Sequence, residues 1–294
     1  MTYLLLSILS STGIFLIFRL IDRRDVKTFP VIVINYITAS SIGFFFSGDT
    51  VRTAWNYPPP FFVLAVIIGI LFIVMFFIIA RSSQKAGMAV TTIAGKMSVI
   101  FPIIFSILYD PGDTISLLKT LGILIALAGV LLTIFKKKNK LPDPSLLYLP
   151  LILFVGMGIV DSLVKLAQHE YVSDNNLSLF TALLFGISAI SGILVSFTGK
   201  NRWLSLFNFR VLGWGVLLGF VNFGSIFFLV RTLNYSHPSH GIIDSSVVFG
   251  INNIGIVALS VLLGVLLFRE KLSRLNITGI IICIIASIVL AYSS

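Results

Sequence analysis

Residues 60–80 read PFFVLAVIIGILFIVMFFIIA, a run without a single charged side chain. A helix needs about 20 mostly apolar residues to cross the roughly 30 Å hydrocarbon core of a bilayer, so this run predicts a transmembrane helix. Similar runs, uncharged or nearly so, fill the rest of the chain. Together they make ten candidate spans: 2–18, 30–47, 60–80, 86–108, 117–135, 146–166, 178–198, 211–230, 242–268 and 275–292. The sequence therefore predicts an all-α integral membrane protein with ten transmembrane helices.

The composition supports a membrane protein and excludes several other classes. Hydrophobic residues make up 57% of the chain and charged residues 11%, with a mean hydropathy of +1.06. A soluble domain carries about 25% charged residues. This chain cannot cover a water-facing surface with polar groups, which excludes soluble enzymes and nucleic-acid-binding proteins. We expect the lipid bilayer to be its main partner.

Motifs for metal, cofactor or phosphate chemistry are missing from the sequence. One cysteine, Cys283, and three histidines provide no zinc-type spacing. No phosphate-binding loop, HExxH segment or nucleophile elbow is present either. We therefore expect no metal site, no cofactor, no ATP-driven pumping by this chain alone and no enzymatic activity.

The distribution of positive charge predicts the orientation in the membrane. Most of the 21 Lys and Arg residues fall in loops that follow odd-numbered helices. The opposite loops contain only Arg52, Lys119, Lys165 and Arg231, while Lys96 lies within a span. Cytoplasmic loops are enriched in Lys and Arg, so both termini are expected on the non-cytoplasmic side of the cell (inner) membrane. No positive segment precedes the first span, which we interpret as a retained helix and not a signal peptide.

A basic, proline-punctuated stretch, KKKNKLPDP at 136–144, divides the chain into residues 1–140 and 141–294, each with five candidate helices. Because five is odd, a second copy of the first half would enter the membrane upside down. Inverted repeats of this kind are typical of secondary transporters. The competing interpretation is a chance match between apolar helices that contain glycine. One shift of 157 positions aligns Asp113 with Glu270, Ser116 with Ser273 and Gly122 with Gly279.

These residues carry a family resemblance. The segment Phe268-Arg269-Glu270-Lys271-Leu272-Ser273, followed by Gly279, resembles the acidic turn before the last helix in the drug/metabolite transporter superfamily. Pro102 resembles a proline common in the fourth helix of that family, and the five-plus-five layout is similar to members built from two EamA domains. Asp113 stands where the first copy usually has Glu. The resemblance implies a transporter of small metabolites, often an exporter.

Lys96 is the first candidate site residue, because a charge inside a span costs roughly 2.5–3.5 kcal/mol and usually faces a cavity or a partner. Ten residues at about 1.5 Å each place it near the bilayer midplane. It would contact an anionic or carboxylate-bearing substrate, form a gate with an acid, or else hold two helices together as a structural ion pair. The 157-residue shift carries Lys96 onto Asn253, beside Asn252. Neighbours on a helix diverge by about 100°, so one of these amides would line the cavity unless both only bond neighbouring helices.

Two acids are candidates for proton coupling or gating. Asp161 lies four residues before Lys165, a spacing that favours a static pair on one helix face. Asp161 could instead pair with Lys96 across the bundle or carry a coupling proton. Asp244 sits at the start of the ninth span, where it would either complement the helix dipole or contribute to an outer gate. Asn35 and Asn222 are further candidates for lining the cavity.

The sequence thus predicts a secondary transporter, by resemblance an exporter, that moves a small polar or amphipathic metabolite by alternating access. A cation at the midplane favours an anionic or zwitterionic substrate. The alternatives are a flippase for a lipid-linked molecule, an intramembrane enzyme, for which the polar residues are too dispersed, and a membrane receptor or scaffold. The identity and direction of the substrate, the coupling ion and the oligomeric state stay open.

Overall fold

A computed structural model describes residues 2–48, 57–109, 117–134, 145–171, 177–198, 200–233, 236–237, 241–242 and 245–291. Asp244, Asp113 and the 136–144 stretch lie outside the described residues. Twelve helices make up nearly all of the described chain, together with one antiparallel pair of two-residue strands, β1 (Ser236–His237) and β2 (Gly241–Ile242). The helices are α1 (Thr2–Arg23), α2 (Thr28–Ser47), α3 (Pro59–Lys85), α4 (Met88–Met97), α5 (Ile100–Tyr109), α6 (Leu117–Ile134), α7 (Ser145–Tyr171), α8 (Leu177–Phe197), α9 (Lys200–Leu206), α10 (Phe209–Leu233), α11 (Ser245–Phe268) and α12 (Arg274–Ala291).

The chain is a helical membrane protein by the length and composition of its helices. Within the described residues, seven helices are long and apolar enough to cross a bilayer, and three shorter apolar helices accompany them. On α3 the side chains of Val63, Ile67, Ile70 and Val74 are 57%, 43%, 46% and 45% exposed. They recur at the spacing of one helix face. An apolar face this exposed suits lipid and not water as its surroundings.

The fourth predicted span, 86–108, is not one continuous helix. The helix α4 ends at Met97, Ser98 and Val99 form a turn, and α5 begins at Ile100. Pro102 explains this break, because a proline offers no N–H and its ring clashes with the carbonyl four residues earlier, here that of Ser98. The Ser98 carbonyl instead accepts a tighter bond from the Phe101 amide at 2.9 Å. The prediction of an unbroken helix was wrong at this point.

Helix packing places α4 in the interior of the bundle. It contacts α1, α3, α6, α7, α11 and α12, and all its residues except Gly95 and Lys96 are buried. Around this centre α2 packs against α8 and α10, and α6 packs against α12. Small residues permit these close approaches: a Cβ on Gly219 of α10 would come within 2.5 Å of the Thr38 side chain on α2. Glycines at such seams let membrane helices pack tightly.

Candidate functional site

The turn between α4 and α5 begins two residues after Lys96, and α7 packs against both helices. Asp161, on α7, accepts a hydrogen bond from the Ser98 hydroxyl, with Oγ and Oδ2 3.1 Å apart. The same hydroxyl lies 2.6 Å from the Gly95 carbonyl oxygen. A serine hydroxyl has one proton to donate. The Asp161 carboxylate and the Gly95 carbonyl therefore compete for it at the turn between α4 and α5.

Lys96 and Asp161 interact electrostatically, yet within the described chain neither side chain forms an ion pair. Both side chains are half-buried. Lys96 lies on α4, which contacts six other helices, so its partly accessible side chain is set among the helices of the bundle. The structure thus brings a cation and an acid from different helices to one interior position without closing them into a contact pair.

The static pair between Asp161 and Lys165 is absent from the described structure. Lys165 is exposed, and Asp161 turns towards Ser98 and Lys96 instead. Sequence analysis did not identify Ser98, the hydrogen-bond partner of Asp161. Pro102 was the signal in the sequence that could have pointed to Ser98. A proline ring clashes with the carbonyl four residues earlier, which here is that of Ser98.

The two adjacent amides of α11 point in different directions and differ in burial. Asn252 is 2% exposed, and its Oδ1 has no hydrogen-bond partner in the described structure. Asn253 is half-buried. Asn252 therefore turns inward with an unused acceptor. A buried polar atom without a partner costs about 1–3 kcal/mol, unless a ligand or water pairs with it.

Asn35 and Asn222 are brought together by the contact between α2 and α10. They are 0% and 5% exposed, and their side-chain amides lie 3.2 Å apart. The Asn35 amide also donates to the Leu218 carbonyl oxygen at 3.2 Å. Asn35 is thus bonded across the contact to the backbone of α10 with the Asn222 amide beside it, which is the structural alternative to a cavity lining.

A polar cluster around Glu270 anchors the start of α4. Sequence analysis had treated its residues only as loop charges and as part of the family motif. The Glu270 carboxylate, in the turn between α11 and α12, accepts hydrogen bonds from the backbone amides of Met88 (Oε1, 2.7 Å) and Ala89 (Oε2, 3.4 Å). Arg19 of α1 places its Nε 3.7 Å from Oε1 and donates from Nη1 to the Gln84 carbonyl oxygen. The Glu270 side chain is only 9% exposed. Negative charge at a helix N-terminus is favourable, so this carboxylate caps the helix that carries Lys96.

Asp244 lies outside the described residues, so its place in a gate is untested. Within the residues that the structure describes, no group of three or more His, Cys, Asp or Glu side chains could hold a metal ion. In the same residues, buried oxygens without hydrogen bonds occur on α1 and α11, at Thr12, Asn252 and Ser260.

Known proteins align with nearly the whole chain, but none of the matches assigns an activity. No family model matches. An uncharacterized protein of Haemophilus influenzae is 26% identical over 301 residues, covering 98% of this chain and 97% of that protein. The crystal structure of another protein superposes with a TM-score of 0.56 at 17% identity, covering 97% of both chains. The chain is therefore similar to that structure in fold along nearly its full length.

Proposed function

We propose that the protein is a secondary transporter of a small anionic or zwitterionic metabolite, with ten spans in two inverted halves similar to EamA-type transporters. The observation that carries this proposal is the helix break at Ser98 and Val99, beside Lys96 and Asp161. Transporters place their sites near the bilayer midplane on discontinuous helices, where irregular backbone lines a cavity. Irregular backbone elsewhere in the hydrocarbon region would be costly.

The count of ten spans rests on both classes of apolar helix. The three shorter apolar segments are Met88–Pro102, which joins α4 to the start of α5, Thr120–Thr133 in α6 and Arg274–Val289 in α12. They supply the spans that the seven longer helices leave. Contacts at one end of the bundle support the alternation. Arg19, Gln84 and Glu270 follow the first, third and ninth proposed spans, and they meet in one cluster. If the chain crosses the membrane ten times, the loops after odd-numbered spans lie on one side, so residues of these three loops can meet.

Helix contacts support two halves related by an inverted repeat. Suppose that each helix of the first half has a counterpart in the second: α1 with α7, α2 with α8, α3 with α10, α4 with α11 and α6 with α12. Exchanging the two halves then maps the main helix contacts onto one another. The pair α1 and α10 becomes α7 and α3, and α2 with α10 becomes α8 with α3. Three pairs, α2 with α8, α4 with α11 and α6 with α12, map onto themselves, as expected beside a pseudo-twofold axis. The break in α4 has no counterpart in α11, which contains no proline.

The chemistry of the site favours a ligand that carries a negative charge. The Lys96 ammonium has no hydrogen bond or ion pair among the described residues, so a carboxylate or phosphate could pair with it. Charge-assisted hydrogen bonds of this type are roughly twice as strong as neutral ones. Asp161, bonded to Ser98 at the break, offers an acceptor to an amino group. A zwitterion would match both charges.

A thermal-shift screen tests this proposal. Detergent-purified wild type and Lys96→Gln would be melted with a panel of organic acids, amino acids and sugar phosphates. A ligand that binds only the folded state stabilises it by about 2.7 kcal/mol at a hundred times its Kd. We expect a wild-type shift that Lys96→Gln loses. The matched control is Lys165→Gln, which removes an exposed lysine from α7 and should retain the shift.

Transport itself is tested by counterflow of the best ligand in sealed proteoliposomes. Exchange by wild type and Lys165→Gln, but not by Lys96→Gln, supports the proposal. Binding without movement across the bilayer would overturn the transporter assignment. A shift retained in Lys96→Gln would overturn the role of Lys96. A blank screen that becomes positive with lipid-linked sugars would favour the flippase.

A further inference from the structure

A pocket of about 370 Å³ lies at one end of the bundle, away from Lys96. It opens between the turn that joins α1 to α2 and the segment that joins α9 to α10. Its volume falls within the roughly 300–1,000 Å³ of small-molecule sites. The pocket is lined by Asp25, Val26, Lys27, Leu204, Ser205, Asn208, Arg210 and Val211.

The charged residues of this pocket carry both signs. Lys27, in the turn before α2, and Arg210, in the first turn of α10, contribute two cations, and Asp25 contributes the acid. All three side chains are exposed, so none of them is part of a buried ion pair. Arg24, next to Asp25, is directed elsewhere, with its guanidinium 5.3 Å from the centre of the Trp214 ring. A ligand with a phosphate and an amine would satisfy both signs.

Exposed apolar side chains are neighbours in sequence of the residues that line the pocket on α9 and α10. Leu204, Phe207 and Phe209 are 57%, 64% and 89% exposed, and all three fall between the ends of the long helices α8 and α10. Trp203, on the short helix α9, stacks on Phe197 with ring centres 4.2 Å apart. Tryptophan and other aromatics collect where a membrane helix meets the headgroup layer. Exposed aromatic side chains of this kind suit contact with lipid acyl chains just below the headgroups.

We propose that this pocket binds an ethanolamine glycerophospholipid. The phosphate lies between Lys27 and Arg210, the ammonium lies towards Asp25, and the acyl chains run along the exposed Phe207 and Phe209. Basic pockets between membrane helices are established headgroup sites, and the acid here selects an amine-bearing headgroup. The site is independent of the transport proposal, because it shares no residue with the Lys96 site.

Delipidated protein in detergent would be titrated with dioleoyl phosphatidylethanolamine and, separately, with the phosphatidylglycerol equivalent. Native mass spectrometry would count bound lipid, and thermal shift would measure stabilisation. We expect the ethanolamine lipid to bind at least tenfold more tightly. The double variant Lys27→Ala/Arg210→Ala should lose this binding tenfold or more, and Arg210→Ala alone should weaken it. Lys271→Ala, which removes another exposed cation, is the control and should bind as wild type does.

Asp25→Asn tests headgroup selection. Asp25 has a positive φ of 52°, and asparagine tolerates that conformation, so the turn should survive. The variant should keep phospholipid binding and lose the preference for ethanolamine. Equal affinity of the wild type for both lipids would overturn the ethanolamine assignment. If soluble glycerophosphoethanolamine bound as tightly as the lipid, the ligand would not be a membrane lipid. Unchanged binding in the double variant would overturn the site.

Discussion

The Glu270 carboxylate caps the helix that begins at Met88, 182 residues earlier in the chain, with Oε1 2.7 Å from the Met88 amide nitrogen. This bond joins the turn before α12 to the start of α4. Arg19 approaches the same oxygen, and its guanidinium lies 5.6 Å from the centre of the Phe268 ring. Three separate parts of the chain thus converge on one carboxylate.

Replacing Glu270 should destabilise the protein. Glu270→Gln keeps the size of the side chain but removes the charge at the start of α4 and opposite Arg19. Hydrogen bonds to charged groups contribute about 1.5–3 kcal/mol, so a clear fall in the melting temperature is expected. Asp22→Asn is the control, because Asp22 is 46% exposed and 3.9 Å from Arg19, and such pairs contribute about 1 kcal/mol or less. Equal melting temperatures for Glu270→Gln and wild type would contradict the cap.

Gly87→Ala should be destabilising for two reasons. Gly87 has a φ of +104°, which L side chains rarely adopt, and a Cβ there would lie 3.0 Å from the Glu270 carboxylate. Backbone strain of this kind costs about 1–3 kcal/mol. The control is Gly213→Ala in α10, where a Cβ would meet nothing within 4 Å. That change should be neutral or stabilising, since alanine favours helices more than glycine by about 1 kcal/mol. Chemical denaturation of both variants gives the comparison, and a similar effect at both positions would exclude a special role for Gly87.

Pro102→Ala tests the break between α4 and α5. Removing the ring lets residue 102 donate to the Ser98 carbonyl, so the helix can continue through the turn. We expect an unchanged or higher melting temperature together with a weaker ligand shift in the thermal screen. Pro150→Ala, near the start of α7, serves as the control and should leave the ligand shift unaltered. A Pro102→Ala protein that binds ligand as tightly as wild type would show that the break is not needed for binding.

A double-mutant cycle on Lys96 and Asp161 separates a structural pair from a binding site. The two charges interact without an ion-pair contact in the described structure. The coupling energy in unfolding experiments should therefore be small, about 1 kcal/mol or less, where contacting pairs give roughly 0.5–3 kcal/mol. Lys96→Gln and Asp161→Asn should each reduce ligand binding. Strong coupling in stability with intact ligand binding would identify a structural pair.

The orientation prediction is tested with reporter fusions. A periplasmic reporter such as alkaline phosphatase, fused after Ser294, should be active, because the positive-inside rule places the C-terminus outside the cytoplasm. A fusion after Lys140, within the basic stretch between the halves, should be inactive and provides the matched control. The reverse pattern would overturn the expected orientation.

The sequence alone determined which solvent surrounds this protein. Its composition and the lengths of its apolar runs require a bilayer, because hydropathy is a property of each segment and needs no partner. The break between α4 and α5 could also have been predicted, since a proline well inside a helix removes one backbone hydrogen bond and kinks or breaks the helix. Lys96 was identifiable because a charge within an apolar run is costly wherever the helix lies.

Tertiary structure alone decided which polar groups meet. Asp161 faces Ser98 and Lys96 and not its helical neighbour Lys165, and Asn252 turns inward while Asn253 is half-buried. The bond between Glu270 and Met88 likewise joins distant parts of the chain. These outcomes depend on how each helix is rotated and tilted against its neighbours. That rotation is set by the summed contacts of the whole bundle, so no local pattern in the sequence encodes it.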